Sequence, residues 1–275
     1  MIKLNLDVVV NSLENEIDMQ YGLETLKGTS DVISIAAETI LRERVPEKRT
    51  HKSDVRTRLK NTFTGSYGQR FSLEIEDKDL QKRLRKIGDE VFLEVLSYFV
   101  MDALYIETPD LSDGAEIIVD QLSDISDKLV DRLKEPLIDM HKIAVYFNYN
   151  IQIRQRKRGL DVPRQLLLLD KNTAKNITEA TCSDEEEDFD VVIVRFHSIT
   201  GNGRFYIKKL QAIESFGFAS KIKVVTDQIR KSISENLHKN NTVDPENGTF
   251  IKIRTKKISL PKGKVIKYLI TGVYV

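Results

Sequence analysis

One stretch constrains the fold more than any other: Ser183–Ile207, SDEEEDFDVVIVRFHSITGNGRFYI. It opens as a run of carboxylates, passes without a break into an apolar β-branched run, and reaches Asn202-Gly203. An Asn-Gly pair between two apolar runs is the strongest short-range hairpin signal, because a two-residue type I′ turn needs positive φ at both central positions. The spacing predicts a strand over Val191–Ile199, a tight turn at Asn202-Gly203 and a return strand over Arg204–Lys208. The first of these strands lacks alternation, which points to cover on both faces.

Charge divides at the same place. Val191–Val275 carries 16 Lys+Arg against 5 Asp+Glu, a net of +11. The 190 residues before it carry 27 against 37, a net of −10, with seven of those acids between Glu179 and Asp190. Such an asymmetry fits a polyanion-binding domain. A Lys-rich surface that serves only solubility fits the same count. The expected layout is therefore an α+β domain over residues 1–178, an acidic linker over 179–190 and a small basic β domain over 191–275.

In the first domain, Ile2, Leu4, Leu6 and Val8 alternate with polar residues as a half-buried strand does. Ser30–Arg44 reads as a helix capped by Thr29 or Ser30, and Val55–Thr64 with Tyr67–Glu76 reads as a hairpin around Gly65-Ser66. Together they predict a small antiparallel sheet of three strands. Lys78–Ile106 and Ser112–Lys134 have helical period and predict a long helical hairpin. The narrow stripe Ile118, Leu122, Ile125, Leu129 and Leu133 on its second arm packs on the first arm or forms a homo-oligomer seam. Further on, Arg154, Arg156 and Arg158 lie on a strand ending at Gly159, with Val162–Asp170 as partner. Tyr146, Phe147 and Tyr149 precede them, an aromatic-plus-basic mixture that suits a single nucleic-acid strand. A basic hairpin edge protected from aggregation fits equally.

The last 85 residues have the order β-β-β-α-β-β, which is that of an OB-type barrel or an SH3-like barrel with an insertion. The helix opens at Thr226-Asp227. On the final hairpin, Lys252, Arg254 and Lys256 alternate with Ile251 and Ile253, and Lys262, Lys264 and Lys267 extend the stripe. Cations two residues apart along a strand stand roughly 7 Å apart, close to the spacing of phosphates. Arg204 joins them from the first hairpin. Phe205, Tyr206, Phe216, Phe218 and Tyr268 are the aromatic candidates for stacking bases. The function expected of these residues is nucleic-acid binding, DNA or RNA, without catalysis; the alternative is an adaptor whose basic barrel docks an acidic protein partner.

Other chemistries find no footing. His51, His141, His197 and His238 lack metal-ligand spacing, and no phosphate loop, dinucleotide fingerprint or nucleophile elbow occurs. No metal or cofactor is expected. The single Cys182 has no internal partner and no base beside it, which favours a reducing cytoplasm. The most apolar helical run, Val91–Ile106, is too short and too charged to span a bilayer, so no membrane partner is expected.

Two segments, GSYGQRFSLEI at Gly65–Ile75 and SITGNGRFYI at Ser198–Ile207, resemble landmarks of a bacterial family of uncharacterised two-domain proteins. The resemblance implies a hairpin with Gly-Ser-aromatic in the first domain and a T-G-N-G-R turn early in a small β second domain. It implies a phage or mobile-element setting, and the family has no established activity to carry over.

Overall fold

The alternation of the opening residues builds the strand on which the first unit is assembled. The computed structural model describes residues 1–13, 16–63, 67–157, 162–261 and 263–274. The chain divides into two units, Met1–Thr178 and Glu179–Val275. In the first, β1 (Ile2–Val10) is the centre of a sheet with β2 (Val55–Phe63), β3 (Tyr67–Ile75), β4 (Ile151–Gln155) and β5 (Arg164–Leu169). The order is β2-β3-β1-β4-β5, antiparallel throughout. Leu4, Leu6, Val8 and Val10 face the core with Phe71, Leu73 and Ile75 of β3. The arginine-bearing strand β4 pairs antiparallel with its expected partner β5, and it also joins the sheet through β1, Val10 opposite Ile151 and Leu6 opposite Gln155. The expected three strands are therefore five. The chain as a whole is 42% helical and 31% strand, so a helix-rich first unit is met only in part. The turn at Gly65-Ser66 lies outside the described residues.

Helices α1 (Met19–Arg42), α2 (Lys78–Ile87), α3 (Asp89–Ala103), α4 (Asp113–Gln121), α5 (Ser126–Met140), α6 (Lys142–Phe147) and α7 (Lys171–Thr178) complete this unit. The N-cap of α1 is Asp18, whose carboxylate accepts the Tyr21 N–H at 3.0 Å; Thr29 and Ser30 are interior. Thr29 instead donates to the Thr25 carbonyl at 2.8 Å. Gly28, which looks like a helix breaker, sits where α1 meets α5. A Cβ there would come 2.6 Å from the Pro136 carbonyl oxygen, so the helices approach this closely only over glycine. The long helical hairpin is corrected too. Gly88, at φ +85°, ends α2 and starts α3, and a 3-10 turn at Ser123–Ile125 separates α4 from α5. The stripe from Ile118 to Leu133 is used inside the unit: Leu122, Leu129 and Leu133 are fully buried, with Ile118 and Ile125 packed beside them. That apolar surface is spent on the chain's own core and leaves no homo-oligomer seam there.

The second unit comprises β6 (Thr181–Cys182), β7 (Glu187–Phe196), β8 (Gly203–Ile207), β9 (Ala212–Phe218), α8 (Asp227–Asn240), β10 (Ile251–Ser259) and β11 (Val265–Tyr274). Five of these strands close a barrel in the ring β7-β8-β9-β11-β10 and back to β7, with β6 appended to β10. Every neighbouring pair is antiparallel except β9 and β11. Phe189, Val191, Ile193, Phe205, Ile207, Phe216, Ile253, Tyr268 and Ile270 fill the inside, and Ile233 of α8 joins them. Phe205 and Phe216 stack at 5.0 Å between centroids, and Tyr268 meets Phe189 edge-on at 5.6 Å. Burial first, and then the charge of Glu214, push the Tyr268 hydroxyl up to about 12. Thr226 caps α8 by accepting the Ile229 N–H. Asn236 of that helix accepts the Ile193 N–H at 2.8 Å beside a bulge in β7, and donates to the Thr249 carbonyl at 2.7 Å. Leaving that bulge N–H without an acceptor would cost about 1–3 kcal/mol.

Two expectations for this unit are overturned. The chain reverses over His197–Asn202, not in two residues; Gly201 has positive φ (73°), and Gly203 is already paired with Phe196. Gly203 is needed for clearance: a Cβ there would clash with the Arg195 carbonyl oxygen and lie 2.5 Å from the Phe216 ring. The acidic linker is also partly strand. Glu187, Asp188 and Asp190 lie in β7, opposite Thr255, Arg254 and Lys252 of β10. Alternation with Phe189 and Val191 is enough to draw carboxylates into the barrel wall when a strand of cations lies next to it. With that boundary the second unit carries 16 basic and 12 acidic groups, a net of +4, and the first a net of −3.

Candidate nucleic-acid interface

The register of β10 sends Ile251, Ile253 and Thr255 inward and Lys252, Arg254 and Lys256 outward, as their alternation requires. The cations are not left to solvent alone. Arg254 Nε donates to Asp188 Oδ1 at 2.8 Å and its Nη2 to Oδ2 at 3.3 Å. The Tyr274 hydroxyl donates to the same carboxylate at 2.7 Å, and its ring lies 5.4 Å from the guanidinium and 5.7 Å from Lys252 Nζ. Hydrogen bonds from Arg254 and then Tyr274 hold the Asp188 carboxyl below the usual carboxylate range, and the same carboxylate raises Arg254. Nearby, Glu187 accepts from Lys209 and Lys257, which keep its carboxyl low. The predicted positive stripe is thus half of a cross-strand ladder of opposite charges. Lys256, opposite Leu269, makes no ion pair among the described residues.

A different wall of the barrel is freer of acid. Arg204 and Tyr206 of β8 point outward, as do Ile213, Ser215 and Gly217 of β9 and Lys267 and Leu269 of β11. Among these outward positions there is no carboxylate; Glu214 is opposite Phe205, on the inward side. Arg195 of β7 is opposite Arg204 in the register of the two strands. Gly217 forms the floor: a Cβ there would come 3.0 Å from Asn202 Oδ1 and 3.0 Å from Lys267 Cε. Lys267 and the 197–202 loop therefore converge over one strand position. Lys264 is exposed in the turn before β11, where the Leu260 N–H bonds the Lys264 carbonyl at 2.9 Å. Lys262 lies outside the described residues.

The aromatic candidates do not serve as stacking platforms. Phe205, Phe216 and Tyr268 are core, Tyr206 is buried, and Phe218 packs against the core. In the first unit Tyr146, Phe147 and Tyr149 gather with Tyr21 of α1, Tyr21 and Tyr146 at 4.3 Å between centroids. Arg154 and Arg156 are elsewhere, on the sheet face that carries Asp7. Arg158 lies outside the described residues. Arg195, Arg70 and Phe63 escaped the sequence analysis; only the pairing of strands brings them beside Arg204, Arg154 and Arg156. Asp7, the one carboxylate of the central strand, is the sequence signal that called for basic partners.

No group of three or more His, Cys, Asp and Glu among the described residues is arranged to hold a metal ion, and none of the described helices is long and apolar enough to cross a membrane. No family model matches this sequence, and neither the curated proteins nor the solved structures hold a match.

Proposed function

We propose that this chain binds nucleic acid without acting on it, and that the strand lies on the wall formed by β8, β9 and β11. The observation that carries the reading is the sorting of charge around the barrel. Carboxylates line β7 beside β10, whereas the outward strand positions of β8, β9 and β11 include Arg204 and Lys267 and no Asp or Glu. The ring order, with one parallel pair and a helix between the third and fourth strands, supports an OB-type barrel over an SH3-like one. In OB folds the second and third strands and the flanking loops form the binding face. Here those are β8, β9, the loop over His197–Asn202 and the turn before Val265. With its aromatics in the core, the site would hold phosphates through Arg and Lys and would not stack bases.

A salt-dependent titration tests this. Fluorescence anisotropy with single- and double-stranded oligonucleotides should show affinity falling with salt, and the joint change Arg204→Gln and Lys267→Gln should flatten that slope by roughly one to two phosphate contacts. Lys252→Gln should leave it unchanged. Equal effects from both variants would remove the reading. Val194 and Ile213, exposed at the border of the same wall, favour the acidic-protein partner as the second reading. Protein capture that persists at high salt while oligonucleotides fail to bind at any salt would establish it.

A further inference from the structure

The outward face of the first unit's sheet holds arginines whose charge the fold does not complete. Asp7 lies in the central strand with no solvent exposure, opposite Arg70 on β3 and Arg154 on β4. Arg156 reaches back to it, with Nη2 2.6 Å from Oδ2 and Nε 3.4 Å from Oδ1. Arg154 Nη2 stands 4.0 Å from Oδ2. Arg70 forms no ion pair with any described residue. Its guanidinium lies 5.4 Å from the centre of the Phe63 ring, and those of Arg154 and Arg156 lie at 5.8 and 5.7 Å. Gly68, opposite Phe63, clears the space the ring occupies, since a Cβ there would run into it. Three cations thus collect around one ring and share one carboxylate, a surplus of two positive charges.

The Nε groups of Arg70 and Arg154 are buried and donate to no described acceptor. Buried donors in native proteins are nearly always paired, and an anion among gathered like charges favours their charged forms. Arg156 donates to both Asp7 oxygens, and Arg70 makes no ion pair with that carboxylate. The guanidinium forks match an oxyanion with several oxygens, and a phosphate brings up to two negative charges, equal to the surplus. Lys60, which donates to Asn5 Oδ1 at 2.7 Å on the same face, adds a flanking cation. We propose that this face binds a phosphate group, held by Arg70 and Arg154, with Arg156 kept in position by Asp7. The proposal is independent of the barrel wall.

The test uses the full chain, titrated with inorganic phosphate against sodium chloride at matched ionic strength, read by the arginine Nε–H resonances and by melting. Phosphate should shift the Arg70 and Arg154 resonances saturably and raise the melting temperature more than chloride does. Arg70→Gln should weaken the effect by about tenfold, the loss expected for one charge-assisted donor. Arg70→Lys, which keeps the charge and removes the fork, guards against a folding defect and should weaken it by less. No phosphate-specific response in the native chain would overturn the proposal, as would a response unaltered in both variants. A second arm fixes the source: an oligonucleotide that displaces phosphate identifies the group as part of a strand, and one that does not identifies a free or small-molecule phosphate.

Discussion

Two segments of this protein carry alternating cations, β10 and the end of β4 with the residue just past it, and they come to opposite electrical ends. On β10, Arg254 and Lys252 meet Asp188 and Asp190 across the next strand, at an exposed surface where each pair contributes little. Arg154 of β4 and Arg156, just past the end of that strand, join Arg70 of β3 over a single carboxylate that is wholly buried. The first arrangement cancels charge in the open; the second concentrates it over a small desolvated anchor. The lesson is that a stripe of Lys and Arg in a sequence fixes neither the sign nor the strength of a surface. The neighbouring strand does.

The comparison breaks most forcefully at Asp7. Asp7→Asn leaves three guanidiniums around Phe63 with no compensating charge, and we expect a loss of about 3–5 kcal/mol in the first unit, measured by denaturant unfolding. The barrel's weak point is clearance: Gly203→Val should cost it about 2–3 kcal/mol by forcing the Arg195 carbonyl and the Phe216 ring apart, again by denaturant unfolding. A Gly203→Val chain that melts like the native one would undo the strand assignment at that residue.

Acid should separate the two units next. Burial holds the His141 ring, whose Nδ1 donates to the Leu137 carbonyl at 2.7 Å, below its ordinary value of 6.5. The unfolded chain then takes up a proton that the folded ring refuses, so stability is full above pH 6.5 and falls as pH drops from there toward the lowered folded value. Glu187 and Asp188 in the barrel are also depressed, from 4.5 and 3.8, so their contribution is lost only at more acid pH, as it passes down through their folded values. Residue-resolved amide exchange should therefore show the first unit loosening before the second as pH falls below 6.5. The smallest effect belongs to Asp188→Asn. It should leave melting nearly unchanged and raise oligonucleotide affinity by about threefold at low salt, by freeing Arg254. Unchanged affinity would mean that β10 takes no part in binding even when uncovered.

What was legible in the sequence was periodicity. The alternation in β1 and β3, the face of α8 behind Thr226 and the closing hairpin all follow from local spacing, and the order of the barrel strands followed with them. What was not legible was clearance and partnership. Gly28 lies inside α1 because α5 crosses there, and Gly203 lies in a strand because the Arg195 carbonyl and Phe216 crowd it; both read locally as breakers. Asp188 and Asp190 read as a solvated tether because their partners lie more than sixty residues further on. The same distance hid the arginine group, whose members come from β3, from β4 and from just past its end, and meet only across β1.

The closure of the barrel bears on how the second unit is made. β11 forms both of the last seams, antiparallel with β10 and parallel with β9. The meander β7-β8-β9 assembles from near neighbours, yet β9 must wait for a strand that follows all of α8 and β10. Pairings so far apart in the chain are slow, since a long loop must lose its freedom before any bond is gained. Through that interval β9 and β10 each present a bare row of amides and carbonyls, the kind of edge onto which another copy can add. The passage most exposed to strand-to-strand association is thus the wait for the final strand, and anything that hastens the docking of β11 shortens it.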